Sequence, residues 1–142
     1  MRLGTRGTAA VELAILAPVI GTLITGAWDF GNALLQQERL SNAARAGAAF
    51  ALTNTADSTD YTGMVQAARN DASDTTDALH VTAQQVCTCP TGTSVSCTGS
   101  CSGGSVWTYA QVTVSENYTT LISYPFATNP LNLTSTVTVR AK

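Results

Sequence analysis

Charge is scarce in this 142-residue chain: 11% of its residues are Asp, Glu, Lys or Arg, and the formal net charge is -2. Soluble domains carry about 25%, so part of the chain is built for a medium other than water. The seven basic residues are scattered without a stripe, which argues against nucleic acid as a partner. Histidine occurs once, at His80, with no cysteine or acidic partner nearby in sequence, so it is read as an ordinary surface or core residue. No paired acid and base and no nucleophile set is present, and neither an enzyme nor a cofactor is expected. Asp29-Phe30-Gly31 spells a kinase triplet but lacks the accompanying glycine-rich and catalytic loops. The glycines of 99–104 open no helix and make no phosphate cradle. Asp71, Asp74 and Asp77 lack the Gly and Glu of a calcium loop and read as a solvated helix end. Asn117-Tyr118-Thr119 and Asn132-Leu133-Thr134 match glycosylation acceptors, a chance pattern in Thr/Ser-rich sequence.

What the chain does have is a long apolar run. After the basic tip at Arg2 and Arg6, no charge separates Glu12 from Asp29, and Leu13, Ile15, Leu16, Val19, Ile20, Leu23 and Ile24 supply bulk. A bilayer-crossing helix needs about 20 such residues, and the segment 8–28 suffices. A cleaved secretory signal ending at Thr25-Gly26-Ala27 is the competing reading. Glu12, a costly carboxylate inside the apolar region, opposes it, as does the helical periodicity that continues past the cut. The positive-inside bias puts the N-terminus in the cytoplasm and everything after Trp28 outside, with Trp28 at the outer interface. The membrane it implies is the inner (cytoplasmic) one. Pro18 is tolerated as a kink. Gly21 and Gly26 offer smooth faces for another helix.

Beyond Asp29 the stripe Phe30, Leu34, Leu40, Ala44, Ala48 and Ala51 keeps helical spacing. One helix is expected over 8–53, about 65 Å long, transmembrane in its first half. The segment 1–7 is a basic leader, and 54–142 is an α+β domain outside the cytoplasm. In that domain 53–63 reads as a loop. The segment 64–77 reads as a short helix, with Met64, Val65, Ala68 and Ala72 inward. Strands are expected at 79–86, 106–115 and 131–139, with a further short one at 121–124 stopped by Pro125. In 106–115, Ala110, Val112 and Val114 share a face, and in 131–139 so do Leu131, Leu133, Val137 and Val139. This is an antiparallel sheet with one wet face, and the stripe after Asp29 is the available cover for its dry face. The fold class is therefore α+β: a long N-terminal helix packed by its second half on a small antiparallel sheet.

The four cysteines, Cys87, Cys89, Cys97 and Cys101, are spaced C-x-C-x7-C-x3-C. Zinc ribbons prefer paired C-x-x-C knuckles, and an exported setting favours two disulfides in the loop 87–101. Three pairings are possible. Cys87 and Cys89 lie too close to bridge comfortably, and nested pairs, Cys87 with Cys101 and Cys89 with Cys97, are preferred.

Arg6-Gly7, Ala9-Ala10-Val11-Glu12, Pro18 within the apolar run, Asp29-Phe30-Gly31 and Ala43-Ala44-Arg45-Ala46-Gly47 occur in an order and spacing that resemble the TadE-like family. Those are pilin-related proteins of the tight-adherence (type IVc) pilus machinery, and the resemblance covers the first third of the chain. It implies a pilin-like fold and cutting after Gly7 by a prepilin peptidase. Thr8 would become the first residue of the mature protein and Glu12 its fifth, the position of the pilin glutamate. Leu13 departs from the pattern, Phe being more usual there. The resemblance further implies partners among other pilins or pseudopilins and the assembly platform, with incorporation into a surface pilus. Glu12, Pro18, Gly21 and Gly26 are then the expected subunit-packing positions. The role expected is that of a minor pilin or pseudopilin in pilus assembly and adherence. The alternative is an anchored periplasmic domain that binds a partner, with the helix as a tether.

Overall fold

A computed structural model describes residues 6–53, 59–75, 78–125 and 127–141. Residues 1–5 of the leader and Asp77 lie outside the described residues. The elements run α1 (Arg6–Phe50), α2 (Tyr61–Asp71), β1 (His80–Thr88), β2 (Ser94–Val95), β3 (Trp107–Tyr118) and β4 (Leu131–Arg140). The α+β class read from the sequence is the one observed.

α1 is a single helix of 45 residues that keeps Pro18 inside it. Alanine and leucine favour the helix on both sides of 18–26, a stretch of Pro, Gly and β-branched residues that intrinsic propensity alone would not hold helical. Its first half, through Trp28, is exposed throughout apart from the half-covered Thr25 and Gly26. The hydroxyls in that stretch are satisfied within the helix, Thr22 donating to the carbonyl of Val19 and Thr25 to that of Gly21, each at 2.8 Å. Such internal bonding is what a lipid surround demands. The second half is the opposite: Leu40, Ala43, Ala44, Gly47, Ala48 and Ala51 are buried. Phe30 and Leu34, which the sequence placed on the same stripe, are 67% and 50% exposed. They flank the buried face, and the buried stripe begins only at Leu40.

The sheet has strand order β2-β1-β3-β4, antiparallel throughout. Its dry face presents Val81, Ala110, Val112 and Val114, with Leu133, Val137 and Val139 half-buried beside them, against α1 and α2. Its wet face carries a polar ladder: Gln84 donates to Gln111 at 2.6 Å, Gln111 to Thr138 at 3.2 Å, and Thr113 bonds Thr136 at 2.9 Å. The alternation in β3 and β4 thus sorts as the sequence pattern required. α2 begins one turn earlier than its periodicity indicated because Asp60 caps it, accepting from the amide of Gly63 at 2.9 Å. It also ends earlier, at Asp71. Asp74, expected in solvent, is half-buried, with its side chain only 1% exposed. It pairs with Arg69 at 3.3 Å and accepts from the amides of Ala78 and Leu79 at 3.1 and 3.2 Å, which closes the turn from α2 into β1.

Arg39 joins three elements. Its guanidinium donates twice to the carbonyl of Ala72, at 3.1 and 2.7 Å, and lies 3.9 Å from Glu116 on β3.

Two expectations for the distal region are corrected. The segment 121–124 forms no strand: the amide of Leu121 is spent on Asp29 of α1, and the Thr120 hydroxyl donates to the carbonyl of Ile122 at 2.7 Å, leaving no ladder to join. The disulfides are Cys87–Cys97 and Cys89–Cys101, not the nested pairs. The reason is hairpin register. Cys87 lies opposite Val95, and the amide of Cys89 donates to the carbonyl of Thr93 at 2.9 Å, so the chain turns back directly after Cys89. β2 ends at Val95 and the chain turns again at Cys97, two residues past the partner of Cys87, where the two Cα atoms are 5.1 Å apart. Reduction is expected to loosen 89–105 while leaving the α1–α2–sheet core folded. Loops this short contribute at most about 3 kcal/mol each, and exchange protection along β3 and β4 after reduction checks this.

Candidate functional site

Two positions on α1 carry its only acids before Glu38, and the fold treats them differently. Glu12 lies on the exposed helix surface two turns from the start, after Gly7 and Thr8. Pro18 and Gly21 are likewise exposed, and a Cβ added at Gly21 would meet nothing within 4 Å. Gly26 differs, since a Cβ there would sit 3.8 Å from the hydroxyl of Tyr124. Of the two glycines expected to receive another helix, Gly21 is open and Gly26 faces this chain's own body. Spaced five apart, they point to different sides of the helix.

Asp29, one residue beyond the apolar segment, is 3% exposed. The loop between β3 and β4 closes over it. The amide of Leu121 donates to both carboxylate oxygens, at 3.0 and 3.1 Å. Tyr124 donates its hydroxyl to Oδ2 at 3.0 Å, and the Tyr118 hydroxyl lies 3.4 Å from Oδ1 and from the Asp29 carbonyl. The loop is braced from within, the amide of Thr120 donating to the side chain of Asn129 at 3.3 Å. A carboxylate taken out of water needs several donors, and here backbone and phenol groups provide them. The sequence reading used Asp29 as the end of the apolar run and within the Asp29-Phe30-Gly31 triplet, and gave it no structural partner. One signal was present: Asp29 stands eleven positions before Leu40, about three full turns, and so lies on the face that becomes buried.

Burial acts to raise the Asp29 carboxyl, but the Leu121 amide, the Tyr124 hydroxyl, the Ile122 amide and the Tyr118 hydroxyl outweigh it and hold the group below its ordinary value of 3.8. The two phenols move the other way, above 10.0, through burial and through the adjacent carboxylate. A depressed carboxyl stabilises the fold above its unfolded value, and that contribution disappears as pH falls through the folded value. A raised phenol contributes below its unfolded value and loses the contribution as pH rises through the folded one. The clasp is therefore expected to be indifferent to pH between about 5 and 9 and to loosen at both extremes. Tyrosine ultraviolet absorbance and loop proteolysis across the range check this.

Cys87, Cys89, Cys97 and Cys101 form disulfides beside the end of β1 that pairs with Trp107 and Thr108, whereas the clasp meets β3 at its other end, at Tyr118. His80 is exposed at the start of β1. Among the described residues no three His, Cys, Asp or Glu side chains gather as a metal site. The contacts tie the loop 119–125 to the middle of α1.

The class this defines is an α+β protein whose N-terminal helix, alone among the described helices, is long and apolar enough to cross a membrane, with a disulfide-closed hairpin on its sheet. Residues 7–49 match the family model of TadE-like proteins, the same resemblance that the motifs of the first third indicated. No curated protein and no solved structure matches the chain.

Proposed function

We propose that this protein is a minor pilin or pseudopilin of a tight-adherence (type IVc) pilus. The observation that carries the reading is the TadE-like match over 7–49, which falls on a helix whose apolar first half is left unburied by its own body. The segment 8–28 holds the chain in the inner membrane. The body lies outside the cytoplasm, a placement supported by the basic N-terminal tip and by two disulfides that need an oxidising compartment. A prepilin peptidase removes the leader after Gly7, and the subunit then joins other pilins and the assembly platform, contributing to adherence. It acts by assembly and not as an enzyme.

Cleavage gives Thr8 an α-ammonium that pairs with Glu12 of the adjacent subunit. Each charge offsets the cost of burying the other. Removing the carboxylate leaves the ammonium unpaired inside a bundle of apolar helices. Breaking such a pair costs about 3–5 kcal/mol, whereas inserting a single helix without Glu12 into lipid becomes easier. Glu12→Ala is therefore expected to remain in the membrane fraction and to lose co-isolation with its pilus partners. If Glu12→Ala co-isolates as the parent does, α1 is a plain tether and the assembly reading fails.

A further inference from the structure

The sequence places the end of the membrane segment at Asp29, its first charge. The structure hides that charge beneath the loop 119–125, so the outer surface of α1 carries no charge between Glu12 and Glu38. That interval is about 39 Å of helix axis. The hydrocarbon core is about 30 Å thick, and about 40–45 Å with its headgroup regions. With Glu12 at the cytoplasmic boundary of the hydrocarbon, residues 29–32 fall in its outermost layer and residues 33–37 in the outer headgroup zone.

Large apolar side chains stand exposed at this level. Trp28 is 64% exposed, Phe30 67%, Leu34 50% and Leu35 66%, and from the loop Leu121 is 68% and Ile122 37% exposed. The loop's height is fixed, because the Leu121 amide is bonded to Asp29 and Tyr124 reaches back to Gly26. At about 100° per residue the four helix residues spread over about 160° of the outward side, while Leu121 and Ile122 cover the side toward the body. A partner helix would need one apolar stripe. An apolar ring on every side, continuous with a segment that spans the bilayer, fits lipid.

We propose that the loop 119–125 is a second membrane contact: Leu121 and Ile122 insert into the outer interface beside Trp28 and Phe30, seating the body on the bilayer at a fixed height. Asp29 is the device that permits this, since it anchors the loop while the loop keeps its charge away from lipid. The inference rests on the membrane-anchor reading and is independent of whether the protein enters a filament.

The test uses the full chain with Trp28→Phe and Trp107→Phe, carrying a single indole from Leu121→Trp, Ile122→Trp or Leu16→Trp. Each is reconstituted in phosphatidylcholine–phosphatidylglycerol vesicles, plain or brominated near the headgroup end or the middle of the acyl chains. Leu121→Trp and Ile122→Trp are expected to lose most of their emission to headgroup-end bromines and less to mid-chain bromines, with Leu16→Trp showing the reverse order. Quenching of Leu16→Trp while both loop probes emit equally in plain and brominated vesicles overturns the proposal, since the body then stands clear of the membrane. Loop probes shielded from both brominated lipid and aqueous iodide overturn it in favour of a protein cover. Absence of quenching at Leu16→Trp removes the anchor reading itself.

Discussion

Asp29→Ala is expected to release the loop 119–125 from α1 while leaving the core of α1, α2 and the sheet folded. The carboxylate is the shared acceptor for the Leu121 amide and the Tyr124 hydroxyl and receives a longer contact from Tyr118. Alanine removes both carboxylate oxygens at once and leaves only the backbone carbonyl of residue 29, 3.4 Å from the Tyr118 hydroxyl. Asp29→Asn keeps one carbonyl oxygen for the Leu121 amide but turns the second acceptor into a donor, so it retains the loop in part. Hydrogen exchange on the detergent-solubilised full chain reads the difference. The Leu121 amide should exchange in Asp29→Ala as an unstructured loop does, more slowly in Asp29→Asn, and slowest in the parent. Equal protection in all three would mean that the contacts of Thr120 with Asn129 and Ile122 hold the loop without α1.

Gly47 carries the second large effect. By helix propensity alone, Gly→Ala in a helix interior gains about 1 kcal/mol. At this position a Cβ would lie 2.8 Å from the carbonyl oxygen of Met64, 3.1 Å from Val112 and 3.2 Å from Ala68, where α1, α2 and β3 converge. The nearest of these atoms is α2 backbone, which moves only if the whole helix does. Gly47→Ala is therefore expected to destabilise, and Gly47→Leu to cost about 3 kcal/mol, a large fraction of a small domain's stability. Gly31 on the same helix is the control, since a Cβ there meets nothing within 4 Å. Gly31→Ala should stabilise by up to about 1 kcal/mol. Denaturant midpoints of the three variants decide the matter, and a stabilised Gly47→Ala would contradict the close approach of α2.

Much of the architecture was legible because it is written in short-range periodicity. The alternation of Ala110, Val112 and Val114, and of Leu133, Val137 and Val139, is local and sufficed to give β3 and β4 their dry face. Leu40, Ala44, Ala48 and Ala51 marked its cover in the same way. What escaped depends on contacts far apart in sequence. The partners of Asp29 lie some 90 positions later, in a stretch whose Leu-Ile-Ser-Tyr composition imitates a strand. The disulfide pairing follows from the register of β2, a strand of two residues that no pattern could reveal. Asp74 resembled a solvated helix end until Arg69 and two amides were found around it. Phe30 and Leu34 fit the helical stripe, but the apolar surface of α1 faces the sheet at Leu40 and the surroundings of the membrane segment ten residues earlier.

Underlying the whole account is the claim that α1 remains on the working protein and that its front end is trimmed for assembly. Intact mass and N-terminal sequence of the protein extracted from the membrane test this most directly. The expected species begins at Thr8, keeps α1 and carries two disulfides. A species that retains residues 1–7 would contradict the pilin reading, and one that begins near Trp28 would contradict the membrane helix altogether.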